Sequence, residues 1–161
     1  MEDKKALAWI RRVASIALML CFVLPLSTCA QKADPADTAK AALQPPSTLH
    51  GFDLVKQGWN DLGAGKTSDG IAMLFAVFAV FFRPAAVLVL GARMHAACCL
   101  LASPASAFLL NSWVFWFSTR AEIGGLLAVA CWALLFCSSG ATLFRQWRDG
   151  RLFRRRVDSV A

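Results

Sequence analysis

The chain has no tyrosine, only two histidines, and just ten Asp and Glu among its 161 residues. None of those acids falls inside its four apolar stretches, Val13 to Leu26, Ile71 to Leu90, Ala96 to Phe117 and Gly124 to Phe144. Proton relays through a bilayer need ionisable groups within it, so a carboxylate-driven pump is not expected. There is no His-Glu-x-x-His, no Gly-x-Ser-x-Gly and no pair of carboxylates placed for acid–base work. Asn111, Ser112, Ser138 and Ser139 are polar, but lone serines in such stretches usually bond their own helix. Without a nucleophile, a base and an orienting group in one constellation, no catalytic residue is assigned and an enzyme is not expected.

A disulfide framework is also missing. Cys21, Cys98, Cys99, Cys131 and Cys137 lie in or beside apolar stretches, which leaves only Cys29 between them. His95 beside Cys98 and Cys99 offers zinc-type donors. No second paired cluster accompanies them, and His50 is expected on the opposite side of the membrane, so these cysteines read as small packing residues. Neither a metal site nor a cofactor is expected.

What the chain does contain is apolar length. It is 58% hydrophobic with a mean hydropathy of +0.54, against about 45–50% apolar in soluble domains. A hydrocarbon core of about 30 Å needs roughly 20 residues of helix, which satisfies its own backbone hydrogen bonds where water is absent. The expected fold class is all-α, an integral membrane bundle of four transmembrane helices, or three if the first is a cleaved signal peptide. Residues 1–30 form the signal-anchor or signal helix, 31–69 an extracytoplasmic loop, 70–146 three membrane helices, and 147–161 a basic cytoplasmic tail.

The net charge of +7 alternates along the chain rather than forming a nucleic-acid surface. Lys4, Lys5, Arg11 and Arg12 outweigh Glu2 and Asp3 at the start, whereas residues 31–70 carry one more acid than base. Arg83 and Arg93 follow, and Arg145, Arg148, Arg151, Arg154, Arg155 and Arg156 stand against Asp149 and Asp158 in the tail. Basic loops stay in the cytoplasm, so both termini are expected inside and residues 31–69 outside. Trp113, Phe115, Trp116 and Phe117 would form an outer aromatic belt, with Trp9 and Trp147 at the inner interface.

The first stretch has three readings. Basic residues, then Val13 to Leu24, then Leu26-Ser27-Thr28-Cys29-Ala30 also describe a secretory signal cut after Ala30. Leu26-Ser27-Thr28-Cys29 resembles a bacterial lipobox that would place lipid on Cys29, although Thr28 departs from the usual small residue before the cysteine. An uncleaved anchor is the leading expectation, and the later topology is the same in all three. Short loops and Ala- and Arg-rich spans suit a bacterial inner membrane.

Residues 31–50 are polar and Pro-containing and read as a linker. Beyond them Phe52, Val55, Trp59 and Leu62 recur at helical steps, predicting a short helix on the outer leaflet, in spite of Gly58. Gly63-Ala64-Gly65-Lys66-Thr67 resembles the end of a phosphate-binding loop. The first glycine of that pattern falls on Asn60 and no strand precedes it, so nucleotide binding is set aside. Gly63, Gly65 and Gly70 instead turn the chain into the second span.

Ile71 to Phe82 covers only about 18 Å of helix, so a full crossing must include Arg83 or begin among Thr67 to Gly70. Arginine in a span is a functional candidate by default, set against snorkelling to the inner headgroups with Pro84 marking a kink or helix end. Gly91 to His95 is expected as a tight turn. Small residues at steps of four, Cys99, Ser103 and Ala107 on the third span and Ala133, Cys137 and Ala141 on the fourth, are candidate packing faces. Pro104 should kink the third helix, with Ser103 or Ser106 recapturing freed backbone groups.

In the tail, Arg148, Arg151, Arg154, Arg155 and Arg156 are candidates for contact with anionic lipid headgroups. The expected partners are therefore the bilayer, anionic headgroups and a protein partner or second copy, without nucleic acid. The expected role is a small membrane protein acting by interaction, as an accessory, assembly or scaffold subunit. The alternative is an oligomeric transport or channel subunit using Arg83.

Overall fold

The computed structural model describes residues 2–29, 47–116 and 120–148. The chain is mostly helical. The elements in order are α1 (Glu2–Cys21), β1 (Pro25–Cys29), β2 (Ser47–His50), α2 (Gly51–Gly63), α3 (Thr67–Leu90), α4 (Ala92–Trp116), β3 (Arg120–Ala121) and α5 (Ile123–Arg148). The linker from 30 to 46 and the tail from 149 lie outside the described residues, as does Phe117 of the expected aromatic belt.

Three helices, α3, α4 and α5, are long and apolar enough to cross a membrane. α1 is not a fourth by that measure. It begins at Glu2 and ends at Cys21, so its uninterrupted apolar part, Val13–Cys21, is only about 14 Å long at 1.5 Å per residue. The rest of the expected first span turns at Val23, whose N–H donates to Leu20 O at 3.1 Å, and continues as β1.

Even so, α1 is packed into the bundle. Arg11, Ala14, Ser15, Leu18 and Cys21 are all buried, and their spacing of three and four places them on one face. Arg11 reaches Thr142 near the end of α5, while the Cys21 thiol meets that of Cys131 eleven residues further back along it. The two helices are therefore antiparallel neighbours.

The helices carry the fold, as the all-α expectation has it, and a small three-stranded antiparallel sheet, order β2-β1-β3, joins their ends. Ser27 stands opposite Leu49 in β2 and Ala121 in β3, with an irregularity between Pro25 and Ser27. These strands are two to five residues long and two of them come from segments read as a span end and a turn. Pairing supplies partners for backbone groups that leave the helices. Ser27 Oγ donates to Trp113 O at 3.1 Å and the Glu122 N–H to Leu26 O at 3.1 Å, pinning β1 over the ends of α4 and α5. Gly124 permits this approach: a Cβ there would lie 2.6 Å from Pro25 O.

α3 crosses Arg83-Pro84 without ending. It passes through a π-helical turn at Phe78–Phe82, resumes at Arg83–Ala86 and tightens to a 3-10 turn at Val87–Leu90. It both starts at Thr67 and includes Arg83, combining the two ways of reaching spanning length. Proline has no N–H to give the carbonyl four residues back, which here is Val80 O. Trp132 Nε1 on α5 donates to that oxygen at 3.2 Å. Trp132→Phe keeps the ring but orphans the carbonyl. We expect it to destabilise the folded protein by about 1 kcal/mol, the scale of such bonds within membranes, read as a lowered Tm in detergent; the double variant with Pro84→Ala should lose less.

Pro104 is handled in the same way. α4 continues through it, and Ser103 Oγ donates to Leu100 O at 2.8 Å, the carbonyl that Pro104 leaves without its helical donor. Of the two serines expected to do this, Ser103 is the one.

Two packing faces differ from expectation. On α2, Gly51, Leu54 and Gly58 are buried and Trp59 is exposed. The face is set by close backbone approach to α3, where a Cβ on Gly70 would lie 2.6 Å from Gly58 O; Gly70 is a crossing point, while Gly65, at φ +80°, makes the turn. On α5 the buried stripe is Gly124, Ala128, Cys131, Trp132, Leu135 and Ser138, leaving Ala133 and Cys137 exposed. Trp132 draws that helix round to reach Val80. On α4, Cys99 and Ser103 are buried as expected but Ala107 is exposed.

Candidate functional site

Two features stand out, a groove on the side of the bundle and a polar cluster at the end away from the sheet. The groove has a volume of about 620 Å³ and lies between α4 and α5, lined by Ser103, Pro104, Ala107, Leu110, Asn111, Phe115, Val129, Trp132, Ala133 and Phe136. No acid, base, histidine or cysteine is among them. Ala107 and Ala133, expected at a helix contact, instead border this groove.

The polar cluster is built from four helices. Arg11 is only 3% exposed and donates through Nη1 to Thr142 Oγ1. Thr142 Oγ1 in turn donates to Ser138 O at 2.7 Å. One turn along α1, Ser15 Oγ donates to Arg11 O at 2.8 Å and stands 3.4 Å from His95 Nε2. His95 Nε2 donates to Pro84 O at 2.9 Å, and Cys99 Sγ is 3.7 Å from the same nitrogen.

His95 thus differs from its expected place in a turn. The turn is Gly91 alone, at φ +84°, and His95 sits buried in the first turn of α4 with its N–H on Gly91 O at 3.0 Å. Its ring ties the end of α3 to the start of α4. Cys98 and Cys99 have no further His, Cys, Asp or Glu beside them in a metal-holding group, among the described residues.

Arg83 is half-buried at the turn that carries Pro84. Arg11 and Arg83 both lie within electrostatic reach of Cys99. Neither is ion-paired: the salt bridges among the described residues join Asp53 to His50 and to Lys56, on α2. Cys29 ends β1 with its backbone opposite Ser47, and its side chain lies outside the described residues. Arg148 is exposed at the end of α5. Arg151, Arg154, Arg155 and Arg156 lie outside the described residues.

Gly65-Lys66-Thr67 opens α3 and follows a helix, not a strand, so the phosphate-loop resemblance has no structural context. Sequence reasoning passed over Arg11. It was counted with Arg12 among the basic residues before the first apolar stretch, although the steps from Arg11 to Ala14, Ser15 and Leu18 are those of a buried helical face.

The outward faces of α3, α4 and α5 carry Phe75, Leu101, Phe108, Leu134 and Phe144 exposed, while Arg11, Ser15, His95, Ser106 and Ser138 are buried. Apolar outside with polar groups turned inward fits a helical membrane protein. No protein family, curated protein or solved structure matches this chain.

Proposed function

We propose that the chain is a small polytopic protein of a bacterial inner membrane that works by interaction, as an accessory, assembly or scaffold subunit and not as an enzyme. In this reading α1 is retained as a fourth membrane helix, both termini are cytoplasmic, and the loop, α2 and the sheet face outward. The alternating charge pattern supports that orientation.

The observation that carries the reading is the chemistry of the groove between α4 and α5. It offers dispersion surface and small side chains, Ala107 and Ala133, where a second helix can approach closely. Asn111 at its border can hydrogen-bond across such a contact. A lining without titratable groups suits a receptor for a helix rather than a reaction. We infer that the occupant is a transmembrane helix of a partner protein.

Purification in mild detergent tests this, comparing the wild type with Ala133→Trp, which fills the groove. The expected result is a stoichiometric partner that is lost from the variant while the variant stays folded. A monodisperse protein without any partner contradicts the reading. So does a homo-oligomer that conducts ions in liposomes and stops when Arg83 is replaced by Leu, the outcome a transport subunit would give.

A further inference from the structure

The buried guanidinium of Arg11 poses a question that the groove does not answer. A charge removed from water is costly unless it is paired, and no carboxylate among the described residues pairs with it. One Nη donates to Thr142, but a hydroxyl supplies no countercharge. Arg83, within electrostatic reach of the Cys99 thiol, adds a second cation with no carboxylate partner among the described residues.

Beside Arg11 lies a cavity of about 80 Å³ lined by Arg11, Arg12, Leu88, Gly91, Ala92 and His95 among others. At roughly 30 Å³ per water it has room for about two to three waters, or for one tetrahedral oxyanion. Gly91 and Ala92 are the start of α4, a helix of 20 residues before its final π turn. The first N–H groups of a helix have no acceptor within it, and Gly91 has no side chain to cap them. They carry the positive end of the helix dipole toward the cavity. The guanidinium groups of Arg11 and Arg12 and a bare helix start therefore meet in one space, with no acid among its described lining residues.

We propose that this cavity binds a phosphate group, held by the guanidinium groups of Arg11 and Arg12 and by the free N–H groups at the start of α4. His95 is a positioning residue: its bond to Pro84 O fixes the α3–α4 turn that forms one wall. The phosphate can belong to a lipid headgroup or be free in solution, because the recognition chemistry is the same. The site rests on the packing of α1 against α3 and α5, and it stands or falls independently of the partner helix.

The test is the thermal stability of the full chain in neutral detergent, titrated with phosphatidylglycerol against phosphatidylcholine, and separately with inorganic phosphate against chloride. Wild type should gain stability with phosphatidylglycerol, with phosphate, or with both. A response to lipid alone assigns a headgroup, and a response to both assigns the phosphate itself. Arg12 is exposed, so Arg12→Gln should fold and should bind roughly tenfold more weakly, the loss of one charge-assisted contact. Arg11→Lys keeps the charge without the planar fork and should weaken binding also. Arg120→Gln, an exposed control in β3 away from the cavity lining, should respond as wild type does. No stabilisation by either probe, or an equal loss in Arg120→Gln and Arg12→Gln, overturns the site.

Discussion

Replacing Gly125 with leucine should be the most damaging single substitution in the bundle. A Cβ at that position would run into the Leu26 carbonyl oxygen and stand 2.9 Å from both methyl carbons of Val114. The oxygen belongs to β1, whose central place between β2 and β3 leaves it little freedom to retreat. Overpacking a core generally costs about 1–3 kcal/mol, and more where the obstacle is backbone. We therefore expect a loss of about 3 kcal/mol or more, seen as a Tm lowered by many degrees in tryptophan fluorescence, with Trp113 nearby as a reporter. Gly140→Leu on the same helix is the control. Nothing lies within 4 Å of its Cβ position, and leaving glycine gains helix propensity of up to about 1 kcal/mol, so its Tm should hold or rise.

Leu18→Ala should be nearly as harmful. Leu18 has no exposed surface and sits on the α1 face between Ala14 and Cys21. Leucine-to-alanine changes in cores cost about 2–5 kcal/mol through lost transfer energy and the cavity left behind. Leu20, two residues on, is 63% exposed, and Leu20→Ala should change Tm little. The contrast is the informative quantity. If α1 were only a transient leader, neither substitution would alter the stability of the mature protein.

The helices were legible because their signals are long. Ile71 to Leu90, Ala96 to Phe117 and Gly124 to Phe144 each exceed what a soluble element needs, and over the described residues each lies within a helix. That a serine, Ser103 or Ser106, answers Pro104 followed from the proline's missing donor, and the structure selects Ser103. The sheet was not legible: β3 is two residues long, and β1 lies in a stretch whose composition also suits a span end or a cleavage site. Strand pairing is a long-range property, here between residues 25–29, 47–50 and 120–121, and no local period announces it.

The packing faces failed for a related reason. Small residues at steps of four mark where a helix can approach closely, but which stripe is used depends on a partner elsewhere. Trp132 turns α5 toward the carbonyl that Pro84 leaves free in α3, and Gly70 draws Gly58 rather than Trp59 inward. The polar cluster was legible only as separate residues. Arg11, Ser15, His95 and Thr142 come from three helices and span 131 positions of the chain, so only the antiparallel packing of α1 and α5 reveals them as one site.

That packing is the centre of the account, because the polar cluster, the proposed phosphate site and the four-helix reading all need α1 in place. Intact-mass measurement of the protein extracted from membranes tests it most directly. The account predicts a single chain that retains residues 1–29, with Arg11, Leu18 and Cys21 present. A mature protein that begins at Cys29 or beyond Ala30 would contradict it.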